Sequence, residues 1–352
     1  MVRLLKFLLN YKFKTSKANP KIGGFTLIEL LVGLILAFLI ITPLLGFVVN
    51  IMNTDRQEQA KSNSEQEIQA ALDYIARDLD QSFFIYDGLG LANIKGSLKN
   101  IAGGTAEPVL VFWKRQFLPK ALPINSKGPG DCNSADTKNC DDTFVYSLVV
   151  YYLIPNSPPN CTNQNWSCTA RIGRMQLTEA LYDLNNNPNS QIRPARPSGF
   201  DLFTSDKFDK LKGASLEEKL NSWTYTGAGE SIDTLIDYID QSTSKDPGVP
   251  QATCPDNPRA PGAFRPDGVI DLKGTIPYEG RTIPQTPALT GFYACVDTDK
   301  TVAQVFIRGN ALARTLSKGS PPTYQANKPA FFPRANIQAQ GRGLLNQNQA
   351  SP

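Results

Sequence analysis

The feature that most restricts this chain lies near its start. Leu30 to Val49 is a run of 20 residues without a charge. At about 1.5 Å per residue, a helix of that length covers about 30 Å, one hydrocarbon core. The residues before Phe25 include Arg3, Lys6, Lys12, Lys14, Lys17 and Lys21 and no acid. Positive charge stays cytoplasmic, so the long remainder is expected on the other side. A secretory signal peptide has a shorter apolar region and ends at small residues. This run is too long, and no A-x-A site follows it. A plain single-pass anchor fits the length but leaves Glu29 unexplained. An ionisable group inside such a segment costs about 2.5–3.5 kcal/mol at mid-membrane and usually has a partner.

Composition narrows the remainder. The chain carries 36 Lys and Arg against 32 Asp and Glu, but beyond residue 24 the balance is 30 basic against 32 acidic. The basicity sits in the leader, so no basic face marks a specific nucleic-acid partner. Histidine is absent. That removes the commonest general base, the commonest zinc ligand and every Ser-His or Cys-His pair, so no enzyme and no resident cofactor is expected. All six cysteines (Cys132, Cys140, Cys161, Cys168, Cys254 and Cys295) follow the apolar run. An even number beyond a membrane-targeting segment fits an oxidising compartment. Tight C-x-x-C knuckles for a metal are missing. Fifteen connectivities are open to six cysteines. The short separations favour 132–140, 161–168 and 254–295, with reduced, buried thiols as the alternative.

Lys21-Ile22-Gly23-Gly24 followed by Phe25-Thr26-Leu27-Ile28-Glu29 resembles the processing motif of the type IV pilin-like prepilin family. The resemblance implies a cut between Gly24 and Phe25 by a membrane aspartyl peptidase, N-methylation of Phe25, and a role for Glu29 in assembly. It implies as partners the prepilin peptidase/methyltransferase, other pilins or pseudopilins, and an inner-membrane assembly platform. The implied location is a single-pass inner-membrane protein with a periplasmic head, and then a filament in the envelope or at the surface. The leader before Phe25 is longer than many in that family, but its last four residues keep the pattern.

The chemistry of Glu29 follows from the cut. Before cleavage Phe25 is an amide in a chain. Afterwards it carries an amine with a pKa near 8, cationic at neutral pH. A carboxylate in a low-dielectric bundle is unfavourable alone and tolerable when paired. The terminus of a neighbouring subunit, displaced along a filament, supplies that partner. Pro43 frees a backbone carbonyl and permits a kink or local melting.

The expected class is α+β: a long N-terminal helix, membrane-spanning in its first half, packed on an antiparallel β-sheet head with a large insertion. The expected layout is a cleaved leader 1–24, a transmembrane and assembly helix 25–52, and an amphipathic helix 53–87. A globular head 88–317 with an insertion at about 178–285 and a flexible tail 318–352 follow. Ile68, Leu72, Ile75 and Leu79 recur at 4, 3 and 4, giving one apolar stripe, and Gly88 and Gly90 end this unit. Strands are expected at Val109–Trp113, Phe144–Leu153, Arg171–Leu177, Thr290–Val296 and Gln304–Ile307, with 144–177 a hairpin and Asp297 to Lys300 a turn. The 115–143 and 155–169 connections read as loops stapled by disulfides. Leu216–Leu220 and Ile232–Ile239 read as helical, and Asp246–Pro284 as irregular. The tail is rich in Pro, Asn, Gln and Ala with weak periodicity. This order resembles large minor pseudopilins of the PilW-like kind, and within them the cyanobacterial pseudopilins linked to hormogonium polysaccharide secretion. That resemblance adds a secreted polysaccharide as partner and gliding motility as the process served.

Other motifs carry less. Asp183-Leu184-Asn185-Asn186-Asn187 begins like a calcium loop, but Pro188 and Pro194 occupy the glycine and glutamate positions, which rules against an EF-hand. Calcium at Asp183 or at the Asp297/Asp299 pair stands against a solvated turn. Asp141-Asp142 is an acid pair in a loop. Trp166 and Tyr151-Tyr152 are able to stack on sugars, although aromatics in strands are far more often core. Two functional classes remain: a filament subunit, and a membrane-anchored extracytoplasmic binding protein for polysaccharide or DNA that does not polymerise. On sequence alone, only assembly requires an acid at Glu29.

Overall fold

The structure, a computed structural model, describes residues 24–101, 106–123, 140–156, 161, 166–179, 181–183, 187–193, 200, 215–227, 231–243, 245–250, 274–275, 289–298, 300–316 and 321–343. It divides into two compact units with the boundary between Asp55 and Arg56. Helix α1, Leu27–Asp80, contributes to both.

In the first unit α1 is apolar on every side, and its large side chains from Leu27 to Met52 are all exposed. A helix hydrophobic all round belongs in an apolar medium, and this one is long and apolar enough to cross a membrane. It runs without a break through Pro43. Proline has no N–H for the carbonyl four residues back. One residue earlier, the Thr42 hydroxyl donates to the Phe38 carbonyl at 2.8 Å.

In the second unit the chain is amphipathic. Ala60, Ser64, Ile68, Ala71, Leu72, Ile75, Asp78 and Leu79 are the buried residues of α1. Their spacing of three and four places them on one face. The expected stripe of Ile68, Leu72, Ile75 and Leu79 is fully inside. That face packs on an antiparallel sheet, so the fold is α+β with the N-terminal helix against the sheet. The strands are β1 Ser82–Ile85, β2 Glu107–Pro123, β3 Cys140–Ile154, β4 Ala170–Thr178, β5 Leu181–Asp183, β6 Asn187–Arg193 and β7 Asp233–Ile239. Four more follow as β8 Gly274–Thr275, β9 Phe292–Asp297, β10 Val302–Arg308 and β11 Arg334–Gln340. Short helices are α2 Gly88–Ile101, α3 Leu216–Asn221 and α4 Ala311–Thr315. The main sheet has the order β1-β2-β3-β4-β7, and a second sheet the order β11-β10-β9-β8.

Strand β3 explains the layering. Val149, Tyr151 and Leu153 face α1 and share one cluster with Phe292, Ala294, Val305 and Ile307 of the second sheet. Leu148, Val150 and Tyr152 face the other way, into a cluster with Trp113, Tyr86, Ile94, Leu98, Phe200 and Trp223. A strand buried on both faces reads as continuous apolar sequence instead of alternating. Each of these larger side chains contributes about 1.5–3 kcal/mol by leaving water.

Several expectations need correction. The helix expected over 53–87 ends at Asp80, and β1 follows at once. Gly88 and Gly90 begin a helix instead of closing a unit, because Leu91, Ile94 and Leu98 give α2 a buried stripe. Ile232–Ile239 is not helical: Asp233–Ile239 is β7, paired with β4. The insertion at 178–285 therefore contributes a strand to the main sheet. Much of that range, including residues 251–273, lies outside the described residues. The connection expected at 115–143 is strand to Pro123 and again from Cys140. The flexible tail 318–352 is contradicted over 334–340, where β11 pairs with β10 across seven residues from Arg334↔Arg308 to Gln340↔Val302. Its Ala335, Ile337 and Ala339 join the core, which gives this polar segment an apolar side to bury. Beyond it, Gly341 N–H donates to Thr301, Arg342 N–H to Asp80 and Gly343 N–H to Ser82, at 2.8–3.0 Å. These bonds clasp the residues after β11 to the β9–β10 turn, the end of α1 and the start of β1. The hairpin β3–β4 and the β9–β10 hairpin are as expected, and α3 covers the expected Leu216–Leu220.

Candidate functional site

Gly24, Phe25 and Thr26 form a non-helical lead into α1, and all three are exposed. Among the described residues, a Cβ built on Gly24 meets nothing within 4 Å, so they do not require the small residue there for packing. Phe25 is 80% exposed. Thr26 caps the helix. Its carbonyl accepts from Glu29 N–H at 3.0 Å and Leu30 N–H at 3.2 Å. Its hydroxyl also accepts from Glu29 N–H at 3.3 Å.

Glu29 is thus the third residue of the helix, three after a threonine cap. Glutamate is favoured there, since a carboxylate in the first turn faces the positive end of the helix macrodipole. From Phe25 to Thr54 it is the single charged residue. Local helix chemistry therefore gives Glu29 a role that sequence reasoning had assigned to assembly alone.

The cysteines are partly placed. Cys161 and Cys168 are bonded, with Cα atoms 5.1 Å apart. Cys140 and Cys295 are disulfide-bonded as well. The pairings 132–140 and 254–295 rest on Cys132 and Cys254, which lie outside the described residues. Asp297 is held by Lys300 at 3.1 Å, inside the expected turn. Asp183 ends β5 opposite Asn187 of β6. Asp299 lies outside the described residues. Among the described residues no group of three His, Cys, Asp or Glu side chains gathers in metal-binding geometry. Asp141 and Asp142 are on β3, not in a loop. Asp142 accepts the N–H of Lys120, where β2 bulges at positive φ. Tyr151 and Tyr152 are buried core.

Two buried ionic networks escaped sequence reasoning. Asp78, in the last turn of α1, accepts from Lys114 Nζ at 2.8 Å, Arg174 Nε at 2.6 Å and Tyr151 OH at 2.7 Å. Burial works against ionisation of Asp78, but the hydrogen bonds and charges of Arg174 and Lys114 outweigh it and hold the carboxyl below its usual range. Burial and the adjoining Asp78 carboxylate push the Tyr151 phenol up. Past the end of α1 the same sheet face turns polar. Gln176 there bonds Gln116 at 3.0 Å, Ser147 at 3.2 Å and Thr178 at 3.1 Å. In the second network Arg308 donates to Asp240 at 2.7 Å and to the Pro250 carbonyl at 2.7 Å, and Asp240 also accepts from Ser242. The signal for the first was legible: Asp78 falls three residues after Ile75, on the buried stripe. Both networks join elements distant in sequence, and Arg308 and Pro250 of the second also line a cavity of about 310 Å³ with Tyr293, Phe306 and Asn336.

No family model, no curated protein and no solved structure matches this chain.

Proposed function

We propose that this chain is a minor pilin or pseudopilin subunit. A prepilin peptidase cuts it between Gly24 and Phe25 and methylates Phe25. The anchored product assembles with other pilins or pseudopilins, on an inner-membrane platform, into a type IV pilus-like or secretion filament. It acts by assembly and not by catalysis. The secreted cargo is polysaccharide, and the process served is gliding motility.

One coincidence carries the reading. Of the G-G-F-T-L-I-E motif, Gly24, Phe25 and Thr26 are an exposed, non-helical lead into a helix that is apolar all round and then amphipathic against a sheet. A peptidase needs an accessible, non-helical cleavage segment, and a filament subunit needs an apolar helix continuous with its head. The test is the mature N-terminus by mass spectrometry. Phe25, N-methylated, is the expected first residue in a peptidase-competent cell. A protein that retains residues 1–24 there refutes the reading.

The membrane-anchored binding protein that does not polymerise is favoured by the position of Glu29 behind its Thr26 cap, since helix capping needs no neighbour. Glu29→Gln separates the two. Glutamine is also favoured three residues after a threonine cap and gives up only about 0.3–1 kcal/mol of charge–dipole stabilisation, but it cannot form an ion pair with a cationic terminus. The assembly role predicts a cleaved Glu29→Gln protein with filaments or secreted polymer reduced at least tenfold. Wild-type filaments from this variant would assign Glu29 to the helix start.

A further inference from the structure

The three tryptophans are treated differently by the fold. Trp113 and Trp223 are at most 1% exposed, whereas Trp166 is 42% exposed. An exposed indole is ordinary on a loose loop, but this one is held. Cys161 and Cys168 close the chain around it. Next to it, Ser167 is fixed at both of its donors: its N–H reaches Asp237 Oδ2 at 2.8 Å and its hydroxyl Asp237 Oδ1 at 2.7 Å. The Ser167 carbonyl accepts from Asn156 Nδ2 at 2.6 Å. Gln241 Nε2 donates to the carbonyls of Asn156 at 2.6 Å and Cys168 at 3.1 Å. Ser167 and Cys168 are thereby tied to the edge strand β7 and the residues just after it. Arg171, at the start of β4, sets its guanidinium over the Trp166 ring, 5.6 Å from the centroid.

We infer that Trp166 and Arg171 form a preorganised stacking site for pyranose rings of a polysaccharide. The inference rests on the proposed export of the head, which brings this loop to the compartment where such a polymer passes. The chemistry chooses the ligand class. One face of a pyranose carries several C–H groups, apolar and slightly positive, which suit the negative face of an indole. Its hydroxyl oxygens accept from a guanidinium beside the ring. A protein partner would want apolar surface around the aromatic anchor, but the part-exposed Ser167 and Asp237, bonded to each other next to Trp166, are polar. A single-stranded nucleic acid wants a positively charged groove, and Arg171, the cation over the indole, feels the Asp237 carboxylate, which offsets its charge. Fixing Ser167 and Cys168, next to Trp166, in advance lowers the ordering cost that a mobile tryptophan would incur on binding.

The experiment uses the full chain in detergent, unassembled, and reads acrylamide quenching of tryptophan fluorescence. Trp166 is the tryptophan that quencher reaches. The probes are cellohexaose, maltohexaose and hexagalacturonate. At least one is expected to shield Trp166, saturably, and Trp166→Ala to weaken its binding, followed by calorimetry, at least tenfold. Trp166→Phe should retain part of it, and Arg171→Met should lower it, with the circular-dichroism melt of each variant as the control for folding. If none of the three sugars shields Trp166, or if Trp166→Ala binds as the wild type does, the site is refuted. Trp166→Ala should still be cleaved and assembled. Lost filaments with unchanged sugar binding would make the loop a subunit contact and overturn the assignment. Sugar binding by a chain whose N-terminus proves uncleaved leaves this site standing while the filament reading falls.

Discussion

Replacing Asp78 by leucine tests how the helix is fastened to the head. The wild-type carboxylate receives Lys114, Arg174 and Tyr151 at 2.6–2.8 Å. The side chains of Asp78 and Lys114 are only 9% and 7% exposed, and Arg174 is 15% exposed. Removing the anion strands two cations, and removing one partner of a buried pair costs about 3–5 kcal/mol. Arg174 has the freer route to water, so Lys114 is the main source of the loss. Against a total stability of about 5–15 kcal/mol, that is a large fraction. At roughly 2–4 °C per kcal/mol, the melting midpoint should fall by about 10 °C. Adding Lys114→Met should recover more than about 1 kcal/mol, because it removes the most deeply stranded charge. The assay is denaturant and thermal unfolding of the full chain in detergent, followed by near-ultraviolet circular dichroism. A loss below about 1 kcal/mol for Asp78→Leu, or a further loss on adding Lys114→Met, refutes the reasoning. The pH dependence has a definite sign. The folded state holds the Asp78 carboxyl below its usual value, which is about 3.9 in an unfolded chain. The network's contribution is complete above that value and is lost as pH falls through the lower folded-state value. Asp78→Asn should flatten this acid limb.

Three further outcomes are expected. Gly341→Val should destabilise the head by about 1–3 kcal/mol, since even a Cβ at Gly341 overlaps the Ser82 hydroxyl and carbonyl oxygens; an unchanged denaturation midpoint would deny the C-terminal clasp. Replacing Cys161 and Cys168 together by serine should cost about 2.5 kcal/mol in the chain-entropy model for so short a loop, measured by the same unfolding curve, and a cost near zero would remove the bond from the stability account. Thr301 holds φ at 53° in the β9–β10 turn, where a β-branched residue loses about 1–2 kcal/mol. Glycine there should gain a few tenths to about 1 kcal/mol after its own entropic cost, and a lower midpoint for Thr301→Gly would contradict that backbone.

The sequence alone determined the parts governed by local periodicity and transfer from water. A 20-residue uncharged run, the 4-3-4 stripe from Ile68 to Leu79 and the β-branched run of β3 each carry their own signal, since each is read from neighbours in the chain. The motif ending at Glu29 was equally legible. The place of Glu29 as a helix-start residue was visible in Thr26-x-x-Glu29, a cap pattern overshadowed by the charge argument. Tertiary structure decided the rest. Ile232, Leu235, Ile236 and Ile239 have helical spacing, yet pairing with β4, with two register shifts, makes 233–239 a strand. A long-range ladder overrides weak local preference because its hydrogen bonds and burial arise only when the partner is present. β11 does alternate, but its inward residues include two alanines, too small to stand out in a Gln- and Asn-rich tail until β10 lies beside them. Asp78, Lys114 and Arg174 each interrupt an apolar pattern at separate places in the chain. Only the fold brings the three charges together, and only there does the interruption become an attachment between helix and sheet.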